Sequence, residues 1–207
     1  MKKQIFLLPV LMLSLVFTGC YDDDDHDDHS HPVNEQEVIT TVEVTLSDGD
    51  NTYVLSWEDL DGDGPDEAVV TGGTMPAGAY DGFIQLLNKT VEQFNPDGSL
   101  NEEYYVTLEI LEEDLDHQFF FNSINGLDVT AVYTDMDSEG NPIGQQFGLI
   151  ATNASSGGLN IVLLHEPDKN AAGVPDGDMT NAGGETDINI TFPITIAVSY
   201  THLRAHE

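Results

Sequence analysis

The sequence predicts an all-β fold, an immunoglobulin-like antiparallel β-sandwich that follows a disordered acidic N-terminal tether. Short apolar stretches alternate residue by residue with polar side chains, which is the pattern of strands with one buried face. Turn-forming Asp, Asn, Gly and Pro residues separate these stretches at short intervals, and hardly any stretch has the helical period. Residues 37–197 have the size of one domain, and we expect them to hold the whole sandwich.

The clearest strands lie at the two ends of this domain. Residues 38–46 place their apolar side chains on one face, and residues 53–57 do the same after a turn at 48–51, which predicts a hairpin. Residues 188–196 alternate strictly. Proline cannot donate a hydrogen bond to a ladder, so Pro193 predicts an edge position for this last strand.

The middle of the domain supplies the remaining strands. Residues 117–121 are apolar on both faces, which predicts a central buried strand. A turn at 155–158 is expected to pair the strand 159–164 back onto the strand 143–152. The Gly/Asp/Asn-rich residues 166–185 are expected to form a long loop, either functional or poorly ordered. The predicted strands are 80–87, 104–111, 117–121, 129–133, 143–152 and 159–164.

The first residues have the pattern of an export signal. Lys2 and Lys3 precede an apolar run, Ile5 to Phe17, which is shorter than the roughly 20 residues that cross a bilayer. The tetrad at 17–20, Phe-Thr-Gly-Cys, resembles a bacterial lipobox, which implies a signal peptide over 1–19 and acylation of Cys20. An ordinary secretory signal followed by a free thiol is the alternative. Cys20 is the only cysteine, so no intramolecular disulfide can form.

Residues 20–36 are predicted to be a solvated tether, because their run of aspartates repels itself and cannot be buried. An acidic run directly after a lipidated cysteine also resembles the surface-export signal of Bacteroidota lipoproteins. This resemblance implies anchoring in the outer membrane on the cell surface; an orientation towards the periplasm stays open. The tether contains three histidines, His26, His29 and His31, which could bind Zn²⁺ or Ni²⁺ loosely. A solvated linker without a metal explains them as well.

The charge balance excludes several kinds of partner. The chain has 38 acidic and 5 basic residues and a formal net charge of −33. Nucleic acid and anionic lipid surfaces are repelled by such a chain, since phosphate binding needs Lys and Arg. Residues 198–207 resemble the translation of a sequencing adapter, so we expect them to be non-native and give them no functional role. The surplus of carboxylates then calls for salt or bound cations.

The sharpest motif is the acidic loop that runs from Asp59 to Glu67. Side-chain oxygens of Asp59, Asp61, Asp63 and Glu67, with a glycine at the sharp turn, suit the oxygen cage that Ca²⁺ prefers. Val70 stands where an EF-hand has its bidentate glutamate, so the loop resembles the shorter calcium loops of extracellular β-proteins. The alternative is a hairpin turn without an ion.

The rest of the chain offers little chemistry. No nucleophile elbow, P-loop or dinucleotide fingerprint is present, so no catalytic residue is assigned and we expect a non-enzymatic protein. His117 and His165 are interpreted as packing or capping residues. The acidic residues at 135, 137 and 139 are interpreted as a plain turn.

Several blocks together resemble a family of Bacteroidota lipoproteins that commonly carries the label type 1 periplasmic binding fold. That label implies two α/β lobes, but the chain is too short for them and shows no crossover helices, so we retain the sandwich. The resemblance supplies no established activity and no site residues. The blocks are Asn34–Thr41, Asp59–Gly64, His117–Phe121, Gly140–Gly144, His165–Lys169 and Gly183–Ile188.

These observations predict a non-enzymatic envelope lipoprotein that binds Ca²⁺ and assists an outer-membrane uptake receptor. The alternative is a solute- or glycan-binding lipoprotein that uses the aromatic side chains of Tyr80, Tyr104 and Tyr105.

Replacing Cys20 with serine tests the anchor. The Cys20→Ser variant has no thiol to acylate, so we expect it to leave the membrane fraction and appear in the soluble one. Fractionation followed by immunoblotting measures this, and continued membrane association of the variant would contradict the anchor.

Overall fold

The computed structural model describes residues 37–62, 64 and 66–197. This part of the chain contains ten strands, one short α-helix and two 3-10 turns. The strands are β1 Thr41–Ser47, β2 Thr52–Glu58, β3 Val69–Thr71, β4 Gly73–Pro76, β5 Gly78–Leu87, β6 His117–Ile124, β7 Val129–Tyr133, β8 Gln146–Ala151, β9 Ser155–His165 and β10 Glu185–Ala197; the helix α1 is Val106–Glu112, and the 3-10 turns are Val174–Asp176 and Met179–Asn181.

The strands form two sheets that pack face to face, which confirms the predicted all-β sandwich. One sheet has the order β3-β2-β1-β5-β8-β7 and the other the order β4-β10-β9-β6. All neighbours are antiparallel except β10 and β4. The core between the sheets is built from fully buried side chains such as Leu46, Ile84, Phe119 and Phe192. Burying each of these contributes roughly 1.5 to 3 kcal/mol.

The first hairpin forms as the alternation predicts. β1 pairs with β2 in a register that places Val44 opposite Leu55, and both side chains are fully buried. In the connecting turn, the carboxylate of Asp48 accepts hydrogen bonds from the backbone N–H groups of Asp50 and Asn51 at 3.0 and 2.7 Å. The turn therefore needs no ion to order it.

The strand predicted over 104–111 is wrong, because this stretch contains the helix α1. A strand would have turned Leu108 towards the same side as Val106 and Ile110, but Leu108 is 39% exposed while the other two are buried. Val106 and Ile110 are one helical turn apart and face the core together. The hydroxyl of Thr107 fixes the helix to β5 by accepting from Leu86 N at 2.7 Å and donating to Leu86 O.

The predicted central position of residues 117–121 is also wrong, because β6 is the edge strand of its sheet. Its outer face is buried by the connection between β9 and β10 rather than by a neighbouring strand. Val174 of this connection is fully buried against Phe120 and Val162. The long loop predicted over 166–185 is therefore an ordered cover.

The last strand lies inside its sheet, so the predicted edge position is wrong. β10 pairs along its whole length with β9, and with β4 only from Ile194 onwards. A Cβ atom on Gly72 would lie 1.9 Å from the carbonyl oxygen of Pro193, so that oxygen points to the β4 side. The N and the carbonyl of one strand residue point the same way, and proline thus removes no donor from the β9 ladder.

The predicted turn at 155–158 is wrong as well, because these residues belong to β9, which pairs with β6 and β10 instead of β8.

A buried ion pair joins the covering connection to the rest of the domain. Lys169 Nζ lies 2.9 Å from Asp137 Oδ2, and both side chains are at least 96% buried. Lys169 also donates to the carbonyl of Asp114. Burial raises the pKa of Asp137, but Lys169 and the backbone N–H groups of Asn141 and Glu139 outweigh it and hold this pKa below its usual range.

Replacing Lys169 with methionine would leave the Asp137 carboxylate buried without a cation, which costs about 3 to 5 kcal/mol. We expect the Lys169→Met variant to lose that much free energy of unfolding in urea titrations. Lys89→Met is the matched control, because Lys89 pairs with Glu58 where both side chains are partly exposed, and such pairs contribute under about 1 kcal/mol. Equal losses in the two variants would contradict this role of Lys169.

The same pair predicts a pH dependence. The pKa of Asp137 is depressed in the folded protein, so its contribution is complete above the unfolded-state value near 4 and is lost as the pH falls through the folded-state value. The difference in unfolding free energy between the parent and Lys169→Met should therefore narrow below about pH 4. A difference that stays constant down to pH 2 would refute this linkage.

Candidate functional site

The acidic loop predicted to bind calcium joins β2 to β3. It surrounds a cavity of about 190 Å³ that is lined by carboxylates from both sides of the loop. Asp59 N donates to Thr40 O at 2.9 Å, which fixes the start of the loop beside β1. Asp63 and Pro65 lie outside the described residues. The cavity-lining side chains are Glu58, Asp59, Leu60, Asp61, Asp66, Glu67 and Val69.

Two carboxylates of the loop, Asp59 and Asp61, differ in their hydrogen-bond partners. Asp61 is used by the turn itself, since its Oδ2 accepts from Asp66 N at 3.2 Å and its carbonyl accepts from Gly64 N at 3.0 Å. Asp59 Oδ1 is buried without any hydrogen-bond partner. Among the described loop residues no three carboxylates bring their oxygens within 4.8 Å of one another. The described part of the loop thus provides one buried oxygen without a partner, and its described carboxylates form no complete cage.

A second cluster, which we call the histidine cluster, contains Glu37, Glu113, His117, His165 and Asp187. His117 begins β6 and His165 ends β9, and the two residues are register partners on the inner face of the sheet. Their rings stack with centroids 4.7 Å apart and an interplanar angle of 9°. One ligand atom from each of Glu113, His117 and His165 lies within 4.8 Å of the others.

The backbone around the cluster explains why these residues meet. Glu113 is the C-cap residue that follows α1, and the chain turns directly from there into β6. Gly184 has φ of +73°, and a Cβ atom there would lie 2.3 Å from the carbonyl oxygen of His165, so only glycine lets β10 begin this close to β9. The register of β9 and β10 shifts between Thr186 and Ile188, which makes Asp187 the bulged residue.

The proton on His117 can be assigned from its partners. Nδ1 lies 3.1 Å from the carbonyl oxygen of Glu113, and since a carbonyl only accepts, Nδ1 carries the hydrogen. Nε2 of the neutral ring therefore presents a lone pair. It lies 3.6 Å from Oε1 of Glu37, whose side chain is only 6% exposed.

Burial dominates the electrostatics of this contact. Burial, followed by the nearby carboxylates of Glu109, Asp187 and Glu113, raises the pKa of Glu37 to about 8. Burial lowers the pKa of His117 to about 4. The pKa of Asp187 is also raised, mainly by burial. Burial thus favours the neutral forms of Glu37 and His117, and it shifts Asp187 in the same direction.

Two oxygens of the cluster have no partner, and the lysines of the described residues are used elsewhere. Glu37 Oε2 and Asp187 Oδ2 are buried without a hydrogen bond. Lys89 pairs with Glu58 at 2.9 Å, and Lys169 pairs with Asp137. Neither lysine is therefore free to compensate a carboxylate in the cluster.

The predicted sequence features meet different outcomes. The interpretation of the histidines as separate packing residues missed their pairing, and it missed Glu37 and Glu113 altogether. In the acidic turn at 135–139, Asp135 and Asp137 accept backbone hydrogen bonds, and Asp137 also pairs with Lys169. A prediction of the pairing between β6 and β9 would have placed the two histidines opposite each other, because they are register partners.

The three tyrosines of the alternative glycan hypothesis are not equivalent. Tyr80 is 3% exposed, stacks edge-to-face on Tyr53 and donates its hydroxyl to Pro76 O, so it presents no open platform. Tyr104 and Tyr105 form an edge-to-face pair with centroids 5.0 Å apart and are only partly buried.

No family model, curated protein or solved structure matches this chain. Among the described residues, no helix is long and apolar enough to cross a bilayer.

Proposed function

We propose that this protein is a non-enzymatic envelope lipoprotein whose β-sandwich binds Ca²⁺ at the loop between β2 and β3. One observation carries the calcium assignment: Asp59 Oδ1 is buried without a hydrogen-bond partner at a cavity lined by further carboxylates. An unpaired buried carboxylate oxygen is costly, and Ca²⁺ binds such oxygens at 2.3–2.6 Å. Asp61, Asp63 and Glu67 complete the proposed ligand set.

The location follows from the start of the sequence. Acylation of Cys20 would hold the protein in the lipid bilayer. The acidic tether would carry the sandwich away from the membrane surface, because an anionic surface repels the negative charge of the chain. We place it on the outer face of the outer membrane, as an accessory to an uptake receptor.

A calcium titration of the unfolding temperature tests the proposal. At a Ca²⁺ concentration of 100 times Kd, binding adds about 2.7 kcal/mol to the free energy of unfolding, and the melting temperature should rise by about 5–10 °C. We expect Asp59→Asn to abolish the rise. Asp50→Asn should retain it, because Asp50 is an exposed carboxylate in the turn between β1 and β2.

The titration needs matched ionic strength, since any salt screens this charge. An equal rise with NaCl, or an unchanged rise in Asp59→Asn, would rule out a calcium site at this loop.

A specific observation favours glycan binding as a second candidate. The outer face of the four-stranded sheet, beyond the covered part, carries amides and hydroxyls in place of carboxylates. Asn160 lies in the middle of a row, with Asn122 Nδ2 3.2 Å from its Oδ1 and its own Nδ2 2.8 Å from Asn189 Oδ1. Beside this row lies a cavity of about 430 Å³, lined by Gly72, Gly73, Thr74, Ser156, Gly157, Pro193, Ile194 and Thr195.

Neutral sugar hydroxyls can hydrogen-bond to such a face without meeting a like charge. If the face binds neutral polysaccharides, Asn160→Ala should lower retention in affinity electrophoresis and Tyr104→Ala should not. Loss on Tyr104→Ala alone would place the glycan at the tyrosines instead, and unretarded parent protein would eliminate this candidate.

A further inference from the structure

We propose that Glu37, Glu113, His117 and His165 form a second metal site, which takes a divalent transition-metal ion of the Zn²⁺ class. This site lies at the start of β6 and the end of β9, and it does not depend on the calcium loop.

The contact between His117 and Glu37 has the spacing of two ligands of one ion. Nε2 and Oε1 are 3.6 Å apart, which exceeds the usual length of a hydrogen bond between nitrogen and oxygen. Two ligands at roughly 2.0–2.1 Å from a tetrahedral Zn²⁺ lie about 3.4 Å apart. A small inward movement of either side chain therefore suffices for these two atoms to bind one ion. The ligand atoms that already lie within 4.8 Å of one another belong to Glu113, His117 and His165, so Glu37 must move towards the others to complete the site. One of the two stacked rings must also turn, so that both nitrogen lone pairs meet at the ion.

His117 is held in the orientation that a metal ligand requires. Its Nδ1–H donates to the carbonyl oxygen of Glu113, which turns the lone pair of Nε2 towards Glu37. A histidine ligand almost always donates its other ring N–H to a backbone carbonyl, carboxylate or water, and this bond fixes the tautomer and the ring plane. Here that bond is present before any ion is considered.

The charge balance calls for a cation. Glu37 Oε2 is buried without a partner, as is Oδ2 of the neighbouring Asp187. Both lysines of the described residues are engaged at other carboxylates. A divalent ion bound by Glu37 and Glu113 would neutralise both carboxylates.

The donor set selects the class of metal. Imidazole nitrogen suits Zn²⁺, Cu²⁺, Ni²⁺ and Fe²⁺, while Ca²⁺ and Mg²⁺ require oxygen ligands. Two nitrogens and two carboxylates match the four ligands of a closed Zn²⁺ site. The ion would join the segment just before β1, the end of α1 and two strands of the other sheet.

Zinc binding to the full chain tests this site, provided that other histidines are removed. The chain has seven histidines, so the parent for the test carries alanine at the five outside the site: His26, His29, His31, His202 and His206. Isothermal titration with Zn²⁺ after chelation measures affinity and stoichiometry. Titration with Co²⁺ reports the coordination, because a tetrahedral site absorbs visible light.

We expect one Zn²⁺ per chain, and at least about tenfold weaker binding in Glu37→Gln and in His165→Gln. Glu92→Gln is the matched control, because Glu92 is exposed and outside the site, and it should bind as the parent does. Glu37→Gln removes a buried unpaired carboxylate, so its metal-free form should melt no lower than the parent. A loss of binding therefore cannot be attributed to unfolding.

Absence of saturable Zn²⁺ binding, or unchanged affinity in both Glu37→Gln and His165→Gln, would overturn the site. Displacement of the ion by millimolar Ca²⁺ would also contradict the assigned class of metal. Failure of the calcium titration at Asp59 would leave this result unaffected, because the two sites share no residue.

Discussion

The structure depends on how its buried carboxylates are compensated, because the described residues contain only two lysines and no arginine. Most acidic side chains remain in water, where their charge is screened, but several are drawn into the domain. Asp137 is compensated by Lys169, and this pair fixes the connection that covers β6. Glu37 and Asp59 each retain a buried oxygen without such a partner. The two proposed metal sites are positions where no lysine of the described residues compensates a buried carboxylate.

The sandwich determines which carboxylates are brought inside. Glu113 caps the C-terminus of α1 close to the first residue of β6, and the register of β6 with β9 places His117 beside His165. The bulge in β10 then adds Asp187 to the same end of the sheet. None of these residues is adjacent to another in sequence, so the histidine cluster is a product of strand pairing. The acidic loop is local by contrast, because one connection supplies all of its carboxylates.

Features that depend on neighbouring residues can be predicted from the sequence, whereas features that depend on contacts between distant residues cannot. The alternation of β1 and β2 and their connecting turn follow from neighbouring residues, and the hairpin forms as expected. Residues 104–111 fit both periods, and only packing against β5 shows that Val106 and Ile110 share a helical face. The place of β6 at an edge depends on Val174, far along the chain, which covers Phe120. For the same reason the pairing of His117 with His165 could not be found from their spacing.

The metal content of the purified protein tests the central claim most directly. The protein should be isolated without chelators, dialysed gently against metal-free buffer and analysed for all elements by mass spectrometry, with protein sulfur as the internal standard. The account predicts close to one calcium and one transition-metal ion per chain. Protein that is folded but contains neither metal above the buffer level would contradict it, because the buried oxygens of Glu37 and Asp59 would then have no bound cation.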